Sequence, residues 1–173
     1  AAVEGARDPA VIALAGACQR AARRRVVEGV YPLALAYLDA CMVAVQALPY
    51  AADPGGGDAL RDPVETLTEG GDCEDKAALF ASLVLVGARL FALPVSVRLV
   101  WVVQRGWPDD HASAWASAGA VPLRGSGVIA QGDEPPAGVW WAETTVAAAR
   151  GESPYRAVRR LGAGHDRIAG DRA

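Results

Sequence analysis

The sequence predicts a single α+β domain, on three observations. Two alanine- and leucine-rich helical runs come first, a third apolar helical run follows at residues 72–91, and alternating β-branched runs come last. Helices followed by strands favour an α+β domain over a parallel doubly wound sheet. The length of 173 residues suits one domain, since domains typically hold about 100–200 residues. We therefore expect one domain spanning residues 1–173.

The composition narrows the class of protein. The chain is 52% hydrophobic and 21% charged, with a net charge of −3, which is typical of a globular protein and gives no electrostatic case for nucleic-acid binding. No uncharged apolar run reaches the length of about 18 residues that a membrane span needs. A signal peptide removed before Ala1 stays open, and with it a cytoplasmic or exported location. The oligomeric state is also open.

The N-terminal helices are predicted at residues 9–48. Asp8 followed by Pro9 is a helix-start signal, and the first helix extends to about residue 29. Pro32 opens the second helix, which ends before Pro49. Cys18 and Cys41 lie in apolar runs of these two helices and are interpreted as small core residues, with a disulfide between them as the less favoured alternative.

A long loop rich in glycine, proline and aspartate, LPYAADPGGGDALRDP, leads to the central helix. Asp72 is its expected N-cap, and Asp75 completes an acidic version of a capping box. The helix is apolar around most of its circumference, which is typical of a buried helix.

Three strands are predicted in the second half, in PVSVRLVWVV, HASAWAS and GVWWAETT. The glycine- and proline-rich segment at 121–138 is interpreted as the loop before the last strand. We expect a small antiparallel sheet packed on the central helix. From Ala147 the chain is predicted to be loop, with a short helix around 155–161 and a mobile tail at about 162–173.

A candidate catalytic set follows the chain order: Cys73 at a helix start, His111 at the head of a strand and Glu143 in another strand. A helix N-terminus and a neighbouring imidazolium both favour the thiolate, which is the nucleophilic form of cysteine. Histidine can take and return a proton near neutral pH, and a carboxylate can orient the imidazole. The backbone N–H of Cys73 can also stabilise an oxyanion.

Each residue also has a structural interpretation: a core cysteine or weak cap, a surface histidine, an exposed strand acid. The hypothesis depends on the combination. The acids beside Cys73 fit capping roles, and their charge should raise the pKa of the thiol, so that activation falls chiefly on His111. A zinc site at the same three residues is disfavoured because no close ligand pair such as CxxC is present. We expect no metal and no cofactor.

The segments PVETLTEGGDCEDKAALFASLV, HASAW and WWAETT resemble the transglutaminase-like cysteine enzymes of bacteria and archaea, a branch of the papain-like fold. The resemblance covers about residues 45–145, and the core of the domain is expected at about 45–146. It implies Cys73 as nucleophile, His111 as general base and acid, and Glu143 as orienting acid, where many relatives carry aspartate. Tyr50 is the candidate side-chain oxyanion donor, with Asp72 in a supporting role.

The resemblance implies acyl transfer through a Cys73 thioester, most simply hydrolysis of an amide bond in a protein or peptide substrate. Transglutamination, in which an amine replaces water, shares the same intermediate and is the first alternative. A non-catalytic binding module on the same fold is the second.

Overall fold

The computed structural model describes residues 1–27, 32–53, 60–103, 111–119, 121–130, 133–145 and 150–151. Within these ranges the chain forms five helices and then a four-stranded sheet, which confirms the α+β class. The elements are α1 (Ala2–Gly5), α2 (Pro9–Val27), α3 (Leu33–Gln46), α4 (Pro63–Glu69), α5 (Cys73–Leu90), β1 (Val95–Val103), β2 (His111–Ala118), β3 (Ser126–Ala130) and β4 (Val139–Ala142).

The predicted helices form for local reasons. Asp8 caps α2 by accepting a hydrogen bond from the Ala10 N–H at 2.7 Å, and α3 begins directly after Pro32. Two short helices were not predicted. Of these, α4 has a complete capping box formed by Asp62 and Glu65, with Pro63 at its first position.

The capping box predicted for α5 is confirmed. Asp72 accepts from the Asp75 N–H at 3.5 Å, and the Asp75 carboxylate accepts from the Asp72 N–H at 3.3 Å. The side chains of α5 are buried from Asp75 to Val84. The helix is therefore a rigid central element with Cys73 at its first position.

The sheet has the strand order β3-β1-β2-β4 and is mixed. β1–β2 and β2–β4 are antiparallel, whereas β1–β3 is parallel. The expectation of an antiparallel sheet is therefore wrong for one pairing. The reason is geometric: β2 ends beside the start of β1, where Ala118 pairs with Val95. A strand that starts from that end and pairs with the free edge of β1 must be parallel to it.

The parallel strand β3 lies inside the segment that was interpreted as a loop, so that interpretation is also wrong. Its sequence, SGVIA, is short and carries a glycine in its interior. The glycine permits close approach of another side chain, because a Cβ at Gly127 would lie 2.2 Å from the Arg98 guanidinium. The pairing partner that makes this segment a strand is distant in sequence.

Two apolar cores lie on the two faces of the sheet. The larger core joins α2, α3 and α5 to one face, and a smaller core covers the other face around Val100, Val102 and Ile129. Trp115 and Trp141 belong to the smaller core, where their rings meet edge to face at 5.7 Å. These two tryptophans therefore have a packing role.

Cys18 and Cys41 are buried free thiols, so no disulfide joins them. Among the helices of the described ranges, none has the length and apolar character to cross a membrane. The predicted short helix at 155–161 and the tail at 162–173 lie outside the described residues.

Candidate active site

Cys73 is the first residue of α5 and is half-buried. An N–H group in the first turn of a helix has no partner within the helix, so the Cys73 N–H is available to a bound group. The Ala112 N–H, from the start of β2, lies 3.5 Å from the Cys73 sulfur. The packing of α5 on the sheet therefore brings the thiol to the head of β2.

His111 and Glu143 form a short contact beside the thiol. The His111 Nε2 lies 2.8 Å from a Glu143 carboxylate oxygen, and the Glu143 side chain is fully buried. The other carboxylate oxygen accepts from the Thr145 N–H at 2.7 Å. The Gln46 amide, at the end of α3, donates to the Glu143 carbonyl at 2.7 Å. The acid is thus fixed at both its side chain and its backbone.

The imidazole joins the acid to the thiol. Because Nε2 faces Glu143, Nδ1 is the ring nitrogen that remains for Cys73. A hydrogen bond between the Cys73 and His111 side chains, together with their charges, acts to lower the pKa of the thiol. Cys73 at the start of α5, His111 at the start of β2 and Glu143 directly after β4 therefore lie in the order thiol, imidazole, carboxylate.

The protonation of this group follows from burial and mutual charge. Burial by itself lowers the pKa of His111, but the Glu143 charge and the hydrogen bonds to Cys73 and Glu143 outweigh it and hold that pKa well above its usual range. Burial would raise the pKa of Glu143, but His111 and the Thr145 N–H lower it overall. Near neutral pH the pair is an imidazolium and a carboxylate.

The thiol is not ionised in this resting arrangement. Burial raises the pKa of Cys73, His111 and the Ala112 N–H lower it, and the Glu74 charge raises it, with a net upward shift. The S–H group donates to a Glu74 carboxylate oxygen at 3.1 Å. Glu74 is therefore the acid that opposes ionisation of the thiol most directly.

Asp72 has a different role from Glu74. Its side chain is 4% exposed, and burial, followed by the charge of Glu74 and its hydrogen bond, raises the pKa of Asp72 to about 7. Asp72 can therefore hold a proton near neutral pH, directly beside Cys73.

Arg61 ties the loops before Cys73 together. Its guanidinium donates to the carbonyl groups of Ala51, Ala52 and Gly70, at 3.1–3.2 Å. Its backbone N–H donates to the Asp75 carboxylate at 2.7 Å, and its Nε lies 3.8 Å from the same group. Burial raises the pKa of Asp75, against the opposing effect of Arg61. One arginine thus fixes the approach to the nucleophile.

Lys76 is a buried cation one turn after Cys73. Its side chain is 1% exposed, and its ammonium group donates to the Leu48 carbonyl at 2.7 Å. Burial lowers the pKa of Lys76, and the charge of Glu143 raises it. The ammonium group therefore acts electrostatically on the acid of the site while it holds the end of the α3 segment against α5.

Tyr50, the candidate oxyanion donor, is brought near the site by its backbone. Tyr50 forms a parallel bridge with Gly71, two residues before Cys73. The flanking hydrogen bonds are Ala51 N–H to the Gly71 carbonyl at 3.2 Å and Gly71 N–H to the Pro49 carbonyl at 3.3 Å. The predicted proximity of Tyr50 to Cys73 thus has a structural basis in a backbone pairing.

Two groups of side chains within the described ranges have the spacing of metal ligands. The ligand atoms lie within 4.8 Å of one another in each, and the groups are Asp72, Cys73 and Glu74, and Asp53, Asp72 and Asp75. In the second group, Arg61 already lies 3.5 Å from Asp53. The three residues of the disfavoured zinc hypothesis do not form such a group.

The sequence-based prediction missed three residues that contact the site residues or the loops around them: Gln46, Arg61 and Lys76. Lys76 carried a signal, because it is the sole lysine of the chain and interrupts an otherwise apolar helix. Gln46 and Arg61 carried none, since their partners lie in distant or irregular segments.

Comparison of the chain with models of known families, with curated proteins and with solved structures found no match.

Proposed function

We propose that this protein is a cysteine-dependent acyl-transfer enzyme of the transglutaminase-like class, with a papain-like core, that hydrolyses amide bonds through a Cys73 thioester. The observation that carries the proposal is the 2.8 Å contact between the His111 imidazole and the Glu143 carboxylate at the start of β2, where the next N–H, that of Ala112, lies 3.5 Å from the Cys73 sulfur. A buried ion pair beside a thiol at a helix N-terminus matches the requirements of a nucleophilic cysteine.

The reactive form has one proton fewer than the resting form. When the Cys73–His111 pair loses a proton, a thiolate stands beside an imidazolium that Glu143 stabilises. The thiolate attacks the carbonyl carbon of the substrate, and a C–S bond forms while the carbonyl electrons move to oxygen. The Cys73 N–H is positioned to stabilise that oxyanion. His111 then protonates the leaving amine as the C–N bond breaks, which yields the thioester.

In deacylation His111 changes from general acid to general base. The neutral imidazole takes a proton from water, a C–O bond forms to the thioester carbon, and the thiolate departs with the proton retained on His111. A primary amine can replace water in this step, and the product is then a new amide. Hydrolysis is the proposed reaction, and transamidation is the alternative that the second nucleophile decides.

The proposal is tested by the rate at which iodoacetamide alkylates Cys73 as a function of pH, with the modified cysteine located by peptide mapping. Buried Cys18 and Cys41 serve as internal references. An opposite charge nearby lowers a thiol pKa by about 1–3 units. His111→Gln should therefore move the midpoint of the curve of alkylation rate against pH to higher pH by about the same amount. Glu74→Gln should move it to lower pH, because it removes the carboxylate that contacts the thiol.

Glu4→Gln removes the same charge from an exposed position of α1 and should leave the midpoint unchanged. If His111→Gln also leaves it unchanged, the imidazole does not act on the thiol and the proposal is wrong. The wild-type rate should rise from neutral to alkaline pH, because the pKa values of both Cys73 and His111 are raised.

Turnover is tested with glutamine-containing peptides, with and without a fluorescent primary amine. Release of ammonia and a new carboxylate without incorporation of the amine indicates hydrolysis, whereas incorporation indicates transamidation. Cys73→Ala should abolish either signal. Retention of the signal in Cys73→Ala would remove the cysteine from the mechanism.

A further inference from the structure

Two apolar side chains lie exposed next to each other on the sheet. Trp101 of β1 is 39% exposed and Val128 of β3 is 70% exposed. The two residues are directly paired in the parallel β1–β3 register. Single exposed apolar residues are common on protein surfaces, but a paired tryptophan and valine form a continuous patch. We call this patch of Trp101 and Val128 the apolar shelf.

Strand alternation assigns the shelf to the face of the sheet that α5 covers. The neighbours Val100, Val102 and Ile129 point into the smaller core on the opposite face. Val97 and Leu99, which share the parity of Trp101, pack into the larger core against the helices. Since side chains alternate along a strand, Trp101 and Val128 continue the helix-covered face at the place where they become exposed.

The same row of the sheet continues to the thiol. Trp101 pairs with Ala112 in β2, and the Ala112 N–H lies 3.5 Å from the Cys73 sulfur. Neighbouring strands are about 4.8 Å apart, so Trp101 lies about one strand spacing from Ala112 and Val128 about two, which puts the shelf about 8–13 Å from the sulfur along the row. An extended peptide covers that distance with about three residues.

We propose that the apolar shelf binds an apolar side chain of the acyl-donor substrate, about three residues from the bond that Cys73 attacks. The inference rests on the proposed function and adds a substrate class to it. The row Val128–Trp101–Ala112 is continuous with the sulfur and its two exposed side chains are apolar, so an apolar side chain of the same substrate fits the shelf. An indole ring binds aromatic and aliphatic groups with little loss of its own conformational freedom.

The test compares two alkylating probes on the full chain: iodoacetamide and N-phenethyl iodoacetamide, which adds an aryl group on a short spacer. The ratio of their second-order rate constants at Cys73 is divided by the same ratio for free cysteine. We expect the normalised ratio to be about tenfold in the wild type, from burial of the aryl group on the shelf. Trp101→Ala should return it to about one without altering the iodoacetamide rate.

Val128→Lys is the second variant, because a charge at an exposed edge position is compatible with folding even where Trp101→Ala is not. It should lower the normalised ratio severalfold. Leu90→Ala is the matched control, since Leu90 is 55% exposed at the opposite end of α5, and it should leave the ratio unchanged.

A normalised ratio near one in the wild type overturns the shelf as a binding surface. That result leaves the proposed function standing, provided that the iodoacetamide rate still depends on His111. A high ratio that persists in both Trp101→Ala and Val128→Lys places the surface that binds the aryl group elsewhere, and it also overturns the proposal.

Discussion

The first turn of α5 and the middle of the same helix both contain buried side chains, but of opposite kinds. Asp75 and Lys76 in the first turn are 0% and 1% exposed, and Leu79, Phe80 and Leu83 further along are 0% exposed. The apolar part is stabilised by transfer of its side chains from water. The first turn is stabilised by hydrogen bonds and charges that must offset the cost of burying polar groups.

This difference shows that burial alone does not separate a core from a site. In the first turn these polar side chains have specific partners: Arg61 for Asp75, the Leu48 carbonyl for Lys76, and Glu74 for the Cys73 thiol. Such partners fix protonation and position, whereas the apolar part fixes only shape. Substitutions in the two parts should therefore differ in what they change.

The largest expected effect on stability belongs to the apolar part. Phe80→Ala removes a fully buried ring and should lower the free energy of unfolding by about 3–5 kcal/mol, measured by urea denaturation. The alkylation midpoint of Cys73 should not change in the folded protein. Val43→Ala, at a position 55% exposed, is the control and should change stability by less than about 0.5 kcal/mol. A shifted midpoint in Phe80→Ala would break the division between the two parts.

Lys76→Met should change both the free energy of unfolding and the pH midpoint of Cys73 alkylation. It leaves the Leu48 carbonyl without the donor at 2.7 Å, which should cost about 1–3 kcal/mol of unfolding free energy. It also removes the cation that acts on Glu143, so the site becomes more negative and the thiol midpoint should rise. Lys76→Arg keeps the charge and should restore the midpoint more fully than the stability. If Lys76→Met lowers stability but not the midpoint, Lys76 is purely structural.

The effect of Asp72→Asn should appear in the pH dependence of stability. The pKa of Asp72 is 3.8 in the unfolded reference and about 7 in the fold. Between these values the folded chain holds a proton that the unfolded chain releases, so the free energy of unfolding falls as pH rises from about 4 to about 7. Asparagine keeps the cap and removes the titration, so the variant should be more stable than the wild type above pH 7 and have a flatter profile.

The measurement is urea denaturation at several pH values from 4 to 8. Asp62→Asn makes the same substitution at the exposed cap of α4 and gives the background for loss of a capping charge. Parallel profiles for wild type and Asp72→Asn would show that Asp72 does not hold a proton near neutral pH.

The elements that could be predicted are those with local signals. Asp8 and Asp72 mark helix starts because a side chain caps its own next residues, and β1 is visible because β-branched residues alternate with other residues along one short run. β3 was missed because its few residues form a strand only by pairing with β1. The direction of that pairing depends on where β2 ends, which no short stretch of sequence encodes.

The candidate site divides in the same way. The residue types and chain order of Cys73, His111 and Glu143 were sufficient to nominate them. The contacts that set their protonation were not predictable, because Gln46 reaches Glu143 across 97 positions and Lys76 reaches Leu48 across 28. The effect of Glu74 on the thiol was foreseen as a charge effect, but its direct hydrogen bond depends on a side-chain conformation within the folded site.

By itself, the sequence determined the α+β class, the capped central helix and the three residues of the candidate site, because these follow from residue type, spacing and order. Only the tertiary structure decided the mixed sheet, the buried lysine, the resting protonation of the thiol and the exposed row that leads to it. These depend on desolvation and on charges brought together from distant segments, and neither exists before the chain has folded.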